Sequence, residues 1–536
     1  MTTKIKKKFV FLIVISVALY SIFNAWWVVA DKTPPDWDEA VHLSSSLTYF
    51  KFLLSGNFAY FLYGYYSYYP PLVYQLMSLL YLFLGIDEVL KVFFNFLFLL
   101  ITITFIYKAS FLFTKRAYAA VLAISYLLFP VIIGSTKVLM LELPSAAMVS
   151  VLLYVILETV KSNKYSLRKG SLIGITSAIA LLIKWTNSIF LFVPLIFIIL
   201  KATKKGSLIF ITALLSTTVL LSSPWYLLHS NKLLSELSFQ AFEQGFLEKD
   251  PQGISSLFWY LNYYINEYLS AAFLAYFLIG MFSLLVPIIK KAIRDQKLFS
   301  FFSLKGTKEN AYYRKTALYL FIPAIAIPLI VFSFLITNKD PRYLIPTIPI
   351  FMLFGIALFN INKSFFNAYL VVFFIGIFNF FSINFGLVNQ GLLNAALIKN
   401  KSHVYTNSTS FPVSYDWGFS GLSAIKQSHS PDLLSVGAHF EEDIPFFNSL
   451  NVPSLLAHNA FKENKDLHFV LFSIDKVCQK ETNLLSDFDY FIWFGKGDFK
   501  NSACKAGYLK NPIREERLKE EYYYQIFRPG SNHAID

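Results

Sequence analysis

The sequence predicts a polytopic α-helical membrane protein of about eleven spans carrying a small α/β domain at its C-terminal end. Three observations predict it. Of 536 residues, 56% are hydrophobic and 18% aromatic, which is not a soluble globular composition. Apolar runs of about 20 residues recur, the length needed to cross ~30 Å of hydrocarbon. After about residue 387 the hydropathy falls and short apolar runs alternate with Asn, Ser, Asp and Gly. The charge divides along the same line: residues 401–536 hold 14 Lys/Arg and 17 Asp/Glu, a net of −3, and residues 1–400 carry +17, giving +14 in all. That basic surplus lies between apolar runs, where it holds loops on the cytoplasmic side rather than binding nucleic acid.

Lys4, Lys6, Lys7 and Lys8 precede the first run, Phe9 to Ala30. The run exceeds a signal-peptide core, and Trp26-Trp27 suits a membrane interface, so an uncleaved first span with a cytoplasmic N-terminus is expected. A first outer loop, 31–88, follows. In it Leu43, Leu47, Phe50 and Leu54 recur at helical spacing, and Ser55-Gly56-Asn57 ends that helix. The aromatic stretch Tyr60 to Tyr69 leads into Pro70-Pro71 and an apolar helix to about Leu84, short for a span.

Basic residues decide the topology. With 72–84 not crossing, spans fall near 89–112, 117–134, 143–160, 170–184, 188–200, 206–226, 264–289, 316–336, 342–360 and 364–386. The basic loops around Lys115-Arg116, Lys161 to Lys169, Lys201 to Lys205, Lys290 to Lys315 and Lys363 then all lie inside. If 72–84 crossed, every one of them would flip outside, against the positive-inside bias. A re-entrant or surface helix is therefore expected there; counts of twelve or thirteen spans are the alternatives. The chain divides into a transmembrane domain, 1–390, with a mobile outer loop at 227–263, and a soluble extracytoplasmic domain, 391–536. The two cysteines, Cys478 and Cys504, form no zinc or redox motif and either pair or remain free thiols.

This topology gathers polar residues on one face. Asp36, Asp38 and Glu39 lie in the first outer loop. Lys137 and Glu142 lie in the second, and Lys184 at the mouth of another. Lys339, Asp340 and Arg342 form the last, before Tyr343. Charges at a membrane edge are costly to keep. Any one of them is as well explained by snorkelling or a structural ion pair, but their convergence on one face favours a site. Carboxylates can take a proton from a hydroxyl nucleophile, and cations can stabilise an anionic leaving group. A lipid-linked phosphate is such a group, and Lys and Arg are its usual partners. No nucleotide-binding glycine loop, zinc-protease helix or serine-hydrolase elbow is present, and the eight histidines show no ligand spacing.

At these residues the chain resembles the GT-C superfamily of polyprenyl-phosphate-sugar-dependent glycosyltransferases. Within it, the chain resembles the branch of protein O-mannosyltransferases and lipid A aminoarabinose transferases. The ordered segments are Asp38-Glu39-Ala40-Val41-His42, Gly56-Asn57-Phe58, Tyr69-Pro70-Pro71-Leu72-Val73-Tyr74, Gly85-Ile86-Asp87-Glu88, Lys137 to Pro144, Leu182 to Thr186, and Arg342 to Pro346. They cover roughly residues 9–360; each is weak alone and the ordered set is fairly specific.

The resemblance implies inverting transfer of a single sugar from a polyprenyl-phosphate donor to a protein, lipid or glycan acceptor, on the outer face of a bacterial inner membrane. It places the general base on Asp38, supported by Glu39, and a second acid on Glu142. Lys184 and Arg342, with Lys137, fall near the donor phosphate, and Tyr69, Glu243 and Tyr343 are substrate-loop candidates. Loop 227–263 resembles one that closes over the donor; its plain reading is a polar connector. Where aminoarabinose transferases have a Glu-Lys pair before Pro-Pro, this chain has Tyr68-Tyr69, which argues against that activity and leaves the sugar open. No metal site is expected, though a divalent metal accompanies one rival reading. In that rival a whole oligosaccharide is transferred en bloc, with Asp36-Trp37-Asp38 as metal ligands. The other rival is a flippase for a lipid-linked glycan, which predicts inverted repeats that the sequence lacks.

Overall fold

A computed structural model of the chain describes residues 2–31, 35, 37–65, 68–87, 89–292 and 308–385, and beyond them five strand segments. The chain divides into two compact units. The first comprises 1–28, 52–80 and 88–412; the second comprises 29–51, 81–87 and 413–536.

In chain order the helices begin with α1 (Thr2–Ala30), α2 (Trp37–Leu54), α3 (Leu72–Leu84), α4 (Leu90–Phe111), α5 (Arg116–Ile124), α6 (Pro130–Ser135) and α7 (Glu142–Ser162). Next come α8 (Leu167–Ile183), α9 (Asn187–Thr203), α10 (Leu208–Leu228), α11 (Ser230–Phe242), α12 (Gln244–Leu247), α13 (Ile254–Tyr263) and α14 (Ala271–Ala292). The series closes with α15 (Lys308–Thr316), α16 (Ile322–Ile330), α17 (Ile348–Leu353), α18 (Gly355–Ile361) and α19 (Lys363–Phe385). The expected helices before and after the aromatic stretch are α2 and α3. Gly56 (φ +71°) and Gly85 (φ +80°) follow them in the left-handed region, where glycine stops a helix without strain.

Among the described residues, seven helical stretches are long and apolar enough to cross a membrane: 8–30, 90–111, 142–162, 208–228, 310–335, 341–361 and 363–385. An eighth is reached if Ile254–Tyr268 and Ala271–Val286, bent by 115° at their junction, count as one broken span. Seven or eight of the expected eleven spans are thus matched by length and composition among the described residues. The other three expected spans fall on 116–128 and on α8 and α9, each helical but at most 17 residues long. The protein is an integral membrane protein of helical type.

The inner layer of the first unit is α7 and the stretch 341–361, with 78% and 89% of the span buried; α1, at 22%, is peripheral. Its exposed Phe11, Leu19 and Ile22 are what a lipid-facing helix presents. Two close approaches lock the layer beside α7. A Cβ at Gly170 would stand 2.4 Å from the Phe210 carbonyl oxygen, and one at Gly174 would stand 2.6 Å from that of Leu214. Gly170 and Gly174 thus let α8 and α10 pack backbone to backbone, the small-residue mode that replaces hydrophobic drive in lipid.

In the second unit, β1 (Leu433–Phe440), β2 (Asp466–Leu471), β3 (Tyr490–Lys496), β4 (Arg514–Arg517) and β5 (Tyr522–Phe527) form one sheet in the order β2-β1-β3-β5-β4. β1 runs parallel to both β2 and β3, whereas β5 is antiparallel to β3 and β4. The apolar runs read from sequence at Leu467 and Tyr490 are β2 and β3. The segments joining the strands, with Cys478 and Cys504, lie outside the described residues.

Candidate functional site

Glu142 is the first residue of α7, where a carboxylate complements the helix dipole. Lys184 ends α8, and there the backbone turns extended (φ −154°, ψ 130°). That turn carries the lysine side chain across to α7. Its Nζ donates to Glu142 Oε1 at 2.8 Å, with the two side chains 6% and 5% exposed. Beside them Asn187 Nδ2 donates to Ser145 Oγ at 3.0 Å and to the Ala180 carbonyl at 2.7 Å, which fixes the crossing. The ammonium also lies 5.4 Å from the Tyr69 ring centre and 5.2 Å from that of Tyr343, within cation–π range. Charges this deep persist only when paired, and this one has a carboxylate and two ring faces.

Arg342 reaches the same neighbourhood from another element. Asp340 caps the 3-10 turn 341–347, its Oδ1 accepting from Arg342 N at 2.7 Å. The same carboxylate accepts from Arg342 Nε at 2.9 Å and from NH2 at 2.5 Å. Arg342 NH1 lies 3.9 Å from Met140 Sδ. Residues 140–142 and 342–343 therefore carry both cations: Arg342 touches Met140, while Lys184 touches Glu142 and Tyr343. Lys339 is turned away. Its Nζ donates to the carbonyls of Phe332 (2.8 Å), Ser333 (3.3 Å) and Ile336, capping the preceding helix end. Burial pushes its pKa down to about 8, with Asp250 opposing the shift.

Loop 227–263 holds α11, α12 and α13 and docks on residues 337–339. Thr337 N donates to the Ala241 carbonyl at 2.8 Å and Asn338 Nδ2 to Gln240 Oε1 at 2.6 Å. Gln252 Nε2 donates to the Thr337 carbonyl at 2.9 Å, and Lys339 N to Asp250 Oδ2 at 2.7 Å. A Cβ at Gly245 would fall 1.9 Å from Thr337 O, so only glycine permits the contact. Beneath α11 lies a cavity of about 230 Å³ lined by Trp185, Leu234, Leu237, Phe242, Ile336 and Tyr343 among others. It adjoins the site through Tyr343 and through Trp185, the neighbour of Lys184.

Lys137 is 1% exposed, donates to Asn384 Oδ1 at 2.5 Å and stacks on Trp27 at 4.2 Å. Asn24 donates to the neighbouring Thr136 at 2.9 Å, and Asn95 to the Val138 carbonyl at 2.8 Å. These contacts tie Lys137 to α1, α4 and α19. Glu243 is exposed between α11 and α12. Asp38 and Glu39 occupy the first turn of α2, Glu39 buried and Asp38 half-buried, and belong to the second unit. Asp36 lies outside the described residues. Among the described residues no three His, Cys, Asp or Glu gather to hold a metal ion. Asp340 stood in the polar set read from sequence, but not as the partner of Arg342. Asn187, which fixes the crossing beside Lys184, escaped sequence reading as a site residue.

No family model matches the chain, and no curated protein matches it. Solved structures do. ArnT from Cupriavidus metallidurans bound to undecaprenyl phosphate superposes with a TM-score of 0.56 at 13% identity, over 98% of this chain and 98% of that one. Its apo state gives 0.53 at 14%, over 96% and 97%. An oligosaccharyltransferase from Archaeoglobus fulgidus in complex with Zn and sulfate gives 0.46 at 11%, over 90% and 67%, too low to carry an argument. At these identities the likeness is one of fold, the fold of the two ArnT structures.

Proposed function

We propose that this protein moves a single sugar from a polyprenyl-phosphate donor to an acceptor on the outer face of a bacterial inner membrane. The observation that carries this reading is the buried Lys184–Glu142 pair between Tyr69 and Tyr343, with Arg342 on the adjoining turn. The undecaprenyl phosphate held by the ArnT structure of like fold supports a lipid phosphate as its ligand.

In the reaction, Asp38, supported by Glu39, takes the proton from an acceptor hydroxyl or amine. The freed electron pair attacks the anomeric carbon from the face opposite the phosphate, and the configuration inverts. The bond between that carbon and the phosphate oxygen breaks, its electron pair passing to the oxygen. Lys184 and Arg342 stabilise the anion so formed, while Glu142 orients Lys184. Such preorganised cations act most strongly where water is excluded, as it is around a lysine 6% exposed. Tyr69 and Tyr343 wall the site, and Lys137 braces the segment leading to Glu142. The N-terminus is cytoplasmic, and the sheet-bearing domain, 391–536, is extracytoplasmic.

Transfer of radiolabelled sugar from polyprenyl-phosphate donors by the full chain in nanodiscs tests the reading. Asp38→Asn and Lys184→Ala should each lose transfer by at least about a hundredfold, as loss of a base or an oxyanion donor does. Lys249→Ala, an exposed cation, should retain it. Wild-type transfer by Asp38→Asn would remove the base assignment. Lipid flipping without transfer by the native protein would remove the reaction itself.

A further inference from the structure

Both cations assigned to the donor phosphate are already held by a carboxylate: Lys184 by Glu142 and Arg342 by Asp340. The four charges sum to zero. We propose that Asp340 is a positioning residue that competes with the lipid phosphate for Arg342 and thereby sets how readily the spent carrier leaves. This rests on the reading that Arg342 faces that phosphate.

Three features make Asp340 a permanent competitor. Its Oδ1 caps the turn that Arg342 begins, accepting from the arginine N–H at 2.7 Å, so the carboxylate cannot leave without uncapping it. Pro341 between the two has a fixed φ and keeps them in reach. The carboxylate engages Nε and NH2, the edge of the guanidinium that also grips phosphate in bidentate fashion. The two anions therefore want the same donors. Of the two pairs, Asp340–Arg342 is the more open, its side chains 16% and 20% exposed against 5% and 6% for Glu142–Lys184. It is the pair whose partners can be exchanged.

The chemistry gives the competition a purpose. A sugar phosphodiester carries one negative charge, whereas the released phosphate monoester carries about −1.5 to −2 at neutral pH. Two bare cations would hold the product more tightly than the donor and stall turnover. With Asp340 present, Arg342 goes to the phosphate as charge develops and returns to the carboxylate when the carrier departs.

The test uses undecaprenyl phosphate as probe, its affinity read by native mass spectrometry of the full chain and its product inhibition read in the transfer assay. Arg342→Ala should weaken binding. Asp340→Asn keeps the cap, since Asn caps as well as Asp, but removes the competing charge. It should tighten binding by about two- to fivefold, the range of a partly exposed ion pair, and lower the inhibition constant in step. Asp340→Ser, which also caps, should move the same way, and Asp340→Asn should have no effect on top of Arg342→Ala. Weaker or unchanged binding by both Asp340 variants, with Arg342→Ala still deleterious, overturns the competition and leaves the phosphate site standing. An affinity insensitive to Arg342→Ala overturns both.

Discussion

Removing either member of the Lys184–Glu142 pair should destabilise the protein more than removing both. Lys184→Ala or Glu142→Ala leaves one charge buried without its partner, a loss of about 3–5 kcal/mol by analogy with other buried pairs. The double variant Lys184→Met/Glu142→Leu should recover most of the melting temperature in detergent while remaining inactive in transfer. A double variant no more stable than the singles would mean that the pair itself does not set the cost. The residues of this pair were legible in the sequence because a charge beside an apolar span is conspicuous. Their pairing was not, since 42 residues separate them and only the fold decides which neighbouring charge is reached. Lys137 shows the same limit, since its partners Asn384 and Trp27 lie far from it in sequence.

At the scale of elements, the docking of α11 and α12 rests on a single missing side chain. Gly245→Ala places a methyl group 1.9 Å from Thr337 O, and both segments are backbone there, so one must move. A loss of about 1–3 kcal/mol is expected, together with faster proteolytic nicking within 243–253. Unchanged protection of that segment would mean that the contact does not hold it. The loop's polarity was readable in advance, but its three helices and its latch on residues 337–339 were not, because hydrogen bonds between loops leave no periodic trace.

The same latch carries a pH dependence. The Lys339 pKa lies near 8 when folded against an ordinary 10.5, so the unfolded chain binds more protons between those values. Stability therefore rises as pH climbs from about 8 towards 10.5. Relative to Lys339→Met, the wild type should gain in melting temperature over that window; a constant difference would refute the shift.

Across the whole molecule, helix positions were largely readable from apolar runs, and the type of fold from the order of weak motifs. Which of these helices cross the membrane was not. The stretch 254–286 breaks at Ser270 (φ +63°) and turns by 115°, while α8 and α9 are short enough to need their neighbours. Periodicity measures a helix, not its tilt or its path through lipid. Orientation is testable directly. In a chain with Cys478 and Cys504 replaced by serine, Lys249→Cys should react with an impermeant maleimide from outside the cell. Lys204→Cys should react only in inverted vesicles, and the reverse pattern would invert the topology.

The ion pair at the mouth of α7 and α8 also bears on how the chain is made. Glu142 begins one helix and Lys184 ends the next, so during synthesis the glutamate reaches the bilayer well before its partner exists. Until α8 has entered, that carboxylate must stay protonated, remain in the insertion channel or be held by water. The hairpin is complete only when the lysine arrives, and a ribosome stalled before residue 184 should leave α7 open to extraction by alkali.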